Sequence, residues 1–554
     1  EVAWQVKIMR HPRSRRYVRV GIRAAHPRRG HGRFAILHGV DNASASPSSE
    51  STSHPDPAAL ASAERAFGRA TGAEPIGGNA VRLLLDADGN YPAWLAAIEQ
   101  AQRYVLFESY IIDDDEVGRR FAAALVARAR AGLRVCVICD WLGSFGAGAL
   151  WATLREGGVD VRVFNVPKLT SPLGWLARDH RKTIVVDGQV GYVSGLCVSA
   201  KWQGDPQRAL EPWRDTGVEL RGPAVAVLVH AFAEVWRACG GPSLPADVDA
   251  PSGVGQATAE PAGQVRVRVV EGAPSATGTY RLDLAIAGLA RQHLWLTDAY
   301  FVGTAAYVQA LAAAARDGVD VRLLVPGASD IPVVAAISRA GYRPLLEAGV
   351  RVFEWNGTML HAKTAVADGV WARVGSTNLN LASWMGNYEL DVAIEDAAFA
   401  EQMATQYEID LQHATEVVLT RRNRVRRSGG RLHPHDARRA LSGSAGRAAA
   451  GAVSVGSTLG AALTNRRTLG AAEAGLVAQI GLVVVGLAVI AALWPKAVAW
   501  PLAVLAGWIG LATLGRAWGL RHRHRRARAA ASRDARESAP DGAGASADGG
   551  DNKN

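Results

Sequence analysis

His180-Arg181-Lys182-Thr183-Ile184-Val185-Val186-Asp187 and His361-Ala362-Lys363-Thr364-Ala365-Val366-Ala367-Asp368 decide how this chain reads. Both follow the pattern H-x-K-x-x-x-x-D, and they stand 181 positions apart. Each carries a Thr-plus-aliphatic run of strand character that closes at an Asp-Gly turn. The tails match as well, with Val193-Ser194-Gly195-Leu196-Cys197 after the first and Val374-Gly375-Ser376-Thr377-Asn378 after the second. A single histidine near a lysine and an aspartate arises on any solvated surface. Two copies on the same frame point to a duplicated catalytic unit.

The duplication extends beyond the motifs. Ala124–Asp140 parallels Ala310–Pro326, each an amphipathic helical stretch, a glycine stop and then an apolar β-branched strand. Leu106-Phe-Glu-Ser-Tyr110 pairs with Leu296-Thr-Asp-Ala-Tyr300, and Gly158–Asn165 with Gly349–Asn356. These are βαβ-type units, so the expected fold class is α/β, built from two similar halves whose sheets are mostly buried. The interval between halves is 191 at Asn165/Asn356 but 181 at the histidines, so half 1 has ten extra residues before its motif. They fall in Val166–Ala177, an apolar loop with Leu173, Trp175 and Leu176. It is expected either to pack on its own half or to form a lip toward acyl chains or the bilayer interface, where Trp is favoured.

Cleaving a phosphodiester without a metal needs a nucleophile, a proton donor for the leaving oxygen, and positive charge near the phosphoryl oxygens. Two imidazoles can fill the first two roles, because histidine titrates near neutrality. Lys182 and Lys363 act as point charges toward the nonbridging oxygens. A catalytic imidazole also needs its far nitrogen held by an acceptor, which fixes the tautomer. Asp215 in Pro212-Trp213-Arg214-Asp215-Thr216 and Glu389 in Gly386-Asn387-Tyr388-Glu389-Leu390 stand downstream of the two motifs and can serve.

The doublet resembles the twin motif of the phospholipase D superfamily. Residues of about Gly77 to Leu411 are similar to the bacterial cardiolipin synthases within it, on Asp140-Trp141-Leu142-Gly143-Ser144, Trp213-Arg214-Asp215-Thr216 with Gly222-Pro223, and Tyr342…Leu346-Glu347-Ala348-Gly349. The resemblance implies a single site on a pseudo-twofold axis between the halves. It implies His180, Lys182, Asp187, His361, Lys363 and Asp368 as the catalytic set, with His180 as nucleophile, His361 as general acid and base, and both aspartates largely structural. Asp215 and Glu389 match the family's second acidic element and are expected to orient the imidazoles. Ser376 and Asn378 are expected to bind phosphate, and Cys197 to do so weakly. Two positions depart from the family pattern: Cys197 stands where Asn is usual, and Asn380 where Asp is usual. A thiol is a poorer donor than an amide, so an asymmetric site follows.

The implied reaction moves a phosphatidyl group from one phosphatidylglycerol to the hydroxyl of another, giving cardiolipin and glycerol through a phosphohistidine. A phospholipase D-type hydrolase, a superfamily nuclease and an inactive membrane scaffold are the alternatives. No cofactor and no metal are expected. Cys136-Val-Ile-Cys139 has C-x-x-C spacing, but it lies inside an apolar strand where residues three apart point to opposite faces. Reduced core thiols are the expected state.

Composition sets the rest. The 554 residues carry a formal net charge of +11. Ala474–Trp494 is 21 residues with only Gln479 polar, and Ala497–Gly515 is a second apolar run of 19. At about 1.5 Å per residue each spans roughly 30 Å, the thickness of a bilayer core. Arg466 and Arg467 precede them, and Arg516, Arg521, Arg523, Arg525 and Arg526 follow. The positive-inside rule then sets both ends and the catalytic core on the cytoplasmic face of a bacterial inner membrane. Arg421–Arg427 and Arg521–Arg528 suit anionic headgroups; no nucleic-acid partner is expected. The expected divisions are a basic, disordered extension at 1–75, half 1 at 76–239, a Gly/Pro/Ala linker at 240–263 and half 2 at 264–415. A basic juxtamembrane segment at 416–470, two transmembrane helices at 474–515 and a basic, then disordered tail at 516–554 complete the chain. No apolar run follows the first basic residues, so no cleavable signal is expected.

Overall fold

The computed structural model describes residues 68–167, 177–244, 248, 260–274, 276–420 and 425–428, with scattered positions between 485 and 518. Most of the extension, the linker and the apolar insertion, and nearly all of the segment after 428, lie outside the described residues. Expectations made for them stay open.

Half 1 runs β1 (Ile76–Leu85), α1 (Asp86–Gln100), β2 (Tyr104–Ser109), α2 (Glu116–Arg130), β3 (Arg134–Asp140), α3 (Gly148–Glu156) and β4 (Asp160–Phe164). It continues through β5 (Lys182–Val186), β6 (Val190–Ser194), α4 (Ala200–Gln203), β7 (Thr216–Arg221) and α5 (Val225–Ala238). Half 2 repeats that order as β8 (Val265–Gly272), α6 (Gly278–Leu289), β9 (His293–Thr297), α7 (Ala305–Arg316), β10 (Asp320–Pro326), α8 (Pro332–Ala348) and β11 (Arg351–Trp355). Then come β12 (Thr364–Ala367), β13 (Trp371–Gly375), α9 (Leu381–Met385), β14 (Glu389–Glu395), α10 (Ala397–Gln412), β15 (Ala414–Leu419) and β16 (Val425–Arg427).

The strands join in one 16-stranded sheet in the order β4-β3-β2-β5-β6-β7-β1-β8-β14-β13-β12-β9-β10-β11-β15-β16. From the β1–β8 seam outward, the two halves list equivalent strands in the same sequence. That mirrored order is the pseudo-twofold relation. Strands β2, β3 and β4 are parallel, as are β9, β10 and β11, because each pair is joined by a crossover helix. The antiparallel seam matches Ile76 with Val267.

The apolar β-branched composition of the strands follows from burial on both faces. One face of half 1 packs under α1, α2 and α3, with Ile98, Phe107, Phe121 and Val137 in that core. The equivalent face of half 2 packs under α6, α7 and α8. A third core lies between the halves, where Val185, Val193 and Val218 meet Val366, Val374 and Val392, with Phe232 and Trp236 of α5 and Phe399 and Met403 of α10. Cys136 and Cys139 fall in different cores, on opposite faces of β3, and all four cysteines are free.

Two boundaries differ from expectation. Half 2 does not end at 415, because Ala414–Leu419 pairs with β11 and Val425–Arg427 pairs with β15 as a sheet edge. Arg427 is correspondingly unavailable to headgroups: its guanidinium is 3.1 Å from buried Glu354 and also bonds Asn356. Nor is all of 1–75 disordered, since Gly68–Thr71 form a helical turn and Ala73 accepts a hydrogen bond from buried Arg268. No helix among the described residues is long and apolar enough to cross a membrane.

Candidate active site

The motif strands are placed by their neighbours. β5 runs antiparallel to β2 with Lys182 opposite Ser109, and β12 runs antiparallel to β9 with Thr364 opposite Thr297. The histidines therefore sit beyond the carboxyl ends of the parallel strands, where α/β sheets open a crevice. At the other end, the Asp-Gly pairs make tight hairpin turns with positive φ at both residues: 56° and 70° at Asp187-Gly188, 51° and 67° at Asp368-Gly369.

Just before each motif strand the chain crosses to the other half. His180 N–H donates to Tyr388 O at 2.9 Å, and Tyr388 N–H returns a bond to Arg178 O at 2.8 Å. Reciprocally, His361 N–H donates to Arg214 O at 2.7 Å, and Arg214 N–H donates to Met359 O at 3.0 Å. This exchange delivers each orienting carboxylate to the opposite half. His180 Nδ1 lies 2.9 Å from Glu389 Oε2, and His361 Nδ1 lies 2.8 Å from Asp215 Oδ2. With Nδ1–H donated to a carboxylate, Nε2 of each neutral ring keeps its lone pair.

The carboxylates are themselves held. Ser376 Oγ donates to Glu389 Oε2 at 2.6 Å, and Asn387 contributes a longer bond to Oε1. Asp215 accepts from the Trp202 indole and from Thr216 N–H, both at 2.8 Å. Gly195, the counterpart of Ser376, leaves room for this: a Cβ there would stand 2.1 Å from Asp215 Oδ1.

Both lysines curl back onto their own motif, each ammonium donating to the carbonyl of the histidine two residues before it. Lys363 Nζ also lies 2.9 Å and 3.1 Å from the two ring nitrogens of His361. Tyr110 and Tyr300 flank the pairs equivalently, with ring centroids 4.9 Å from His180 and 5.8 Å from His361. Lys182 and Lys363 lie over those same phenol rings. Trp202 and Trp213 of half 1 also pack on His361, at 5.2 Å and 5.7 Å.

Burial decides the charge states. It pushes His180 down to about 4 against the opposing pull of Glu389, with Lys182 adding to the drop. His361 is pushed down to about 3 by burial and Lys363, against Asp215. Lys363 falls to about 8, mainly through desolvation. Burial alone would raise Asp215 and Glu389, but their histidines, the lysines and the Trp202 and Ser376 donors outweigh it and hold both below the usual carboxylate range. The resting site thus pairs neutral imidazoles with ionised carboxylates.

One expected role changes, that of Ser376. Asp187 and Asp368 lie outside the reacting group, in keeping with the structural role the resemblance implies. Each carboxylate accepts main-chain N–H bonds at the far end of its strand, from Gln102, Arg103 and Tyr104 and from Arg291, Gln292 and His293. They anchor the motif hairpins to the starts of β2 and β9. Ser376 is not a free phosphate donor, because its hydroxyl proton goes to Glu389 and its oxygen accepts from Leu390 N–H. Asn380 caps α9 through Ser383 N–H and donates to Tyr300 O, which explains why an amide suits that place.

Asn378 and Cys197 remain in the site, both buried. The Asn378 side-chain oxygen has no hydrogen-bond partner among the described residues, which marks an amide not consumed by the fold. Burial raises the Cys197 thiol, while the charges of Lys182 and Lys363 oppose that rise. Sequence reasoning did not single out Trp202 and Trp213 as partners of His361. Tyr110 and Tyr300 carried a signal, as the last residues of a duplicated strand pair.

The comparisons agree with this geometry. A family model described as "Cardiolipin synthase, PLD-like domain" matches residues 285–411. Cardiolipin synthase A of Pseudomonas aeruginosa is 35% identical over 366 residues, covering 66% of this chain and 73% of that protein. Cardiolipin synthase A of Pseudomonas syringae pv. syringae is 33% identical over 365 residues, covering 64% and 72%. Among solved structures, phosphatidylserine synthase of Haemophilus influenzae Rd KW20 superposes with a TM-score of 0.50 at 13% identity, over 64% of this chain and 91% of that one, a likeness of fold. With two thirds of its length aligned to such relatives and a paired-histidine site at the seam of its halves, the chain belongs to the cardiolipin synthase family of the phospholipase D superfamily.

Proposed function

We propose that this chain is a phosphatidyltransferase that converts two phosphatidylglycerol molecules into cardiolipin and glycerol. The observation that carries the reading is the pair of buried, neutral histidines, each with Nδ1 bound to a carboxylate from the other half. Nε2 of His180 attacks phosphorus, the bond from phosphorus to the glycerol oxygen breaks, and His361 gives that oxygen a proton. The hydroxyl of a second phosphatidylglycerol then loses its proton to His361 and attacks the same phosphorus, and the phosphorus–nitrogen bond breaks. His361 must be protonated for the first step although burial favours its neutral form. The phosphodiester anion supplies the missing counter-charge on binding, which raises the imidazole toward the charged state. Lys182 and Lys363 balance the charge on the nonbridging oxygens.

Transfer competes with hydrolysis according to which acceptor reaches the phosphohistidine. Burial of both histidines in an aromatic enclosure favours a lipid alcohol over water. Membranes containing the full chain, incubated with labelled phosphatidylglycerol, are expected to yield labelled cardiolipin and free glycerol. Phosphatidic acid as the sole product would instead identify a hydrolase.

Asn378 is assigned as the donor to a phosphoryl oxygen, with Cys197 as its weaker counterpart. Asn378→Ala is expected to lower kcat about tenfold to a hundredfold, more than Cys197→Ala does, because the lost amide bond strengthens as charge builds on phosphate. Equal losses in steady-state assays would refute that assignment.

The same reading holds 474–515 as a hairpin of two transmembrane helices. The large apolar side chains described there, among them Val485, Leu493, Trp500, Val504 and Leu511, are helical and exposed, as lipid-facing positions are. The arginines on both outer flanks then keep the catalytic core on the cytoplasmic side of the inner membrane. Reporters fused after Asn554 and before Gly77 are both expected to report a cytoplasmic location. A periplasmic signal from either would exclude this topology.

A further inference from the structure

The two ends of the active site are not equivalent. In half 2 the loop after β10 brings Asp330 to the site, where its Oδ1 accepts a hydrogen bond from the Tyr300 hydroxyl at 2.7 Å. The Tyr300 ring packs on His361, centroid to centroid 5.8 Å. Burial raises the Asp330 carboxyl, and the Tyr300 hydrogen bond and the charge of Lys363 oppose that rise. No arginine or lysine forms an ion pair with this carboxylate among the described residues, so it retains capacity to accept hydrogen bonds. In half 1 the matching loop holds Ser144 instead, wholly buried, with its hydroxyl spent on Tyr110 O and Ile112 N–H. Among the described residues, a carboxylate at this loop position occurs at the His361 end and not at its equivalent in half 1.

We infer that Asp330 reads the alcohol that His361 protonates and deprotonates, by accepting a hydrogen bond from a second hydroxyl beside the reacting one. The inference rests on the phosphatidyl transfer proposed above and adds the reason a polyol headgroup is selected. A carboxylate could equally attract an ammonium headgroup, but Lys182 and Lys363 already load the site with positive charge and disfavour a third cation. A hydroxyl donor gains the bond without that repulsion. The site then has a polar end for the glycerol headgroup. At the other end the loop after β3 presents Trp141 and the exposed Phe145.

The test compares acceptors on one phosphatidyl donor, using the full chain in membranes: glycerol, 1-propanol, which lacks further hydroxyls, and ethanolamine. Wild type is expected to prefer glycerol over 1-propanol, and Asp330→Ala to reduce that preference about tenfold or more, the size of one hydrogen bond to a charged group. Asp330→Asn keeps an acceptor and is expected to fall between them. Tyr300→Phe keeps the carboxylate and is expected to retain most of the preference. If Asp330→Ala slows all three acceptors equally, or none, the residue merely braces the loop and the inference is overturned. Loss confined to ethanolamine would overturn it too, as an ammonium reader. The ratio is read on whichever phosphatidyl donor wild type turns over. A wild type that makes no cardiolipin therefore refutes the proposed reaction without deciding the role of Asp330.

Discussion

Replacing either His180 or His361 with alanine is expected to cut turnover by about a thousandfold or more, since each substitution deletes a whole chemical role. The two losses should be of similar size and should not add. A double variant is expected to be no slower than the worse single one, because the second histidine has nothing to act on once the first is gone. Both side chains are small parts of a large core, so the fold should survive. Cardiolipin formation by equal amounts of folded protein measures the effect. Near-normal activity in either variant would mean that the halves do not share one site.

The second large effect concerns the carboxylates. Asp215→Asn and Glu389→Gln keep shape while removing the acceptor that fixes the imidazole tautomer, and each is expected to lower kcat by about a hundredfold to ten-thousandfold. The sharper expectation lies in the pairing. His361 bonds Asp215 and His180 bonds Glu389, so each histidine should couple to the carboxylate of the other half. In double-mutant cycles, Asp215→Asn should add little to His361→Ala, and Glu389→Gln little to His180→Ala. Because all four groups serve one reaction, the pairing itself is read by nitrogen NMR of the imidazoles: Asp215→Asn should move the signals of His361 rather than those of His180, and the reverse would contradict the exchanged arrangement. Since loss of one member of a buried pair also destabilises, thermal unfolding should accompany the kinetics.

Much of this was legible in the chain because the duplication repeats local patterns. The twin H-x-K-x-x-x-x-D strands, the helix–glycine–strand units and the Asp-Gly turns all reflect short-range backbone preferences, and each appears in the fold. The exchange between halves was not legible. Asp215 and Glu389 could be named as orienting carboxylates, but which histidine each one serves depends on the segments around Arg178 and Arg214 pairing across the seam. No local signal encodes that pairing. Ser376 was misread for a related reason: a serine in a phosphate-binding tail looks like a phosphate donor until the carboxylate it bonds comes within 2.6 Å. Asp187 and Asp368 were readable as structural from the Asp-Gly turns and the resemblance, but their partners, the N–H groups at the starts of β2 and β9, were not. The polybasic stretch failed similarly at Arg427, whose charge answers a buried glutamate rather than a membrane.

Whether phosphorus passes through a histidine is tested most directly by stereochemistry. Phosphatidylglycerol made chiral at phosphorus with oxygen isotopes would be turned over by the full chain, and the configuration of the cardiolipin product read by phosphorus NMR. Attack by His180 and then by the acceptor hydroxyl inverts phosphorus twice, so net retention is expected. Net inversion would signify a single direct displacement and would contradict the phosphohistidine account.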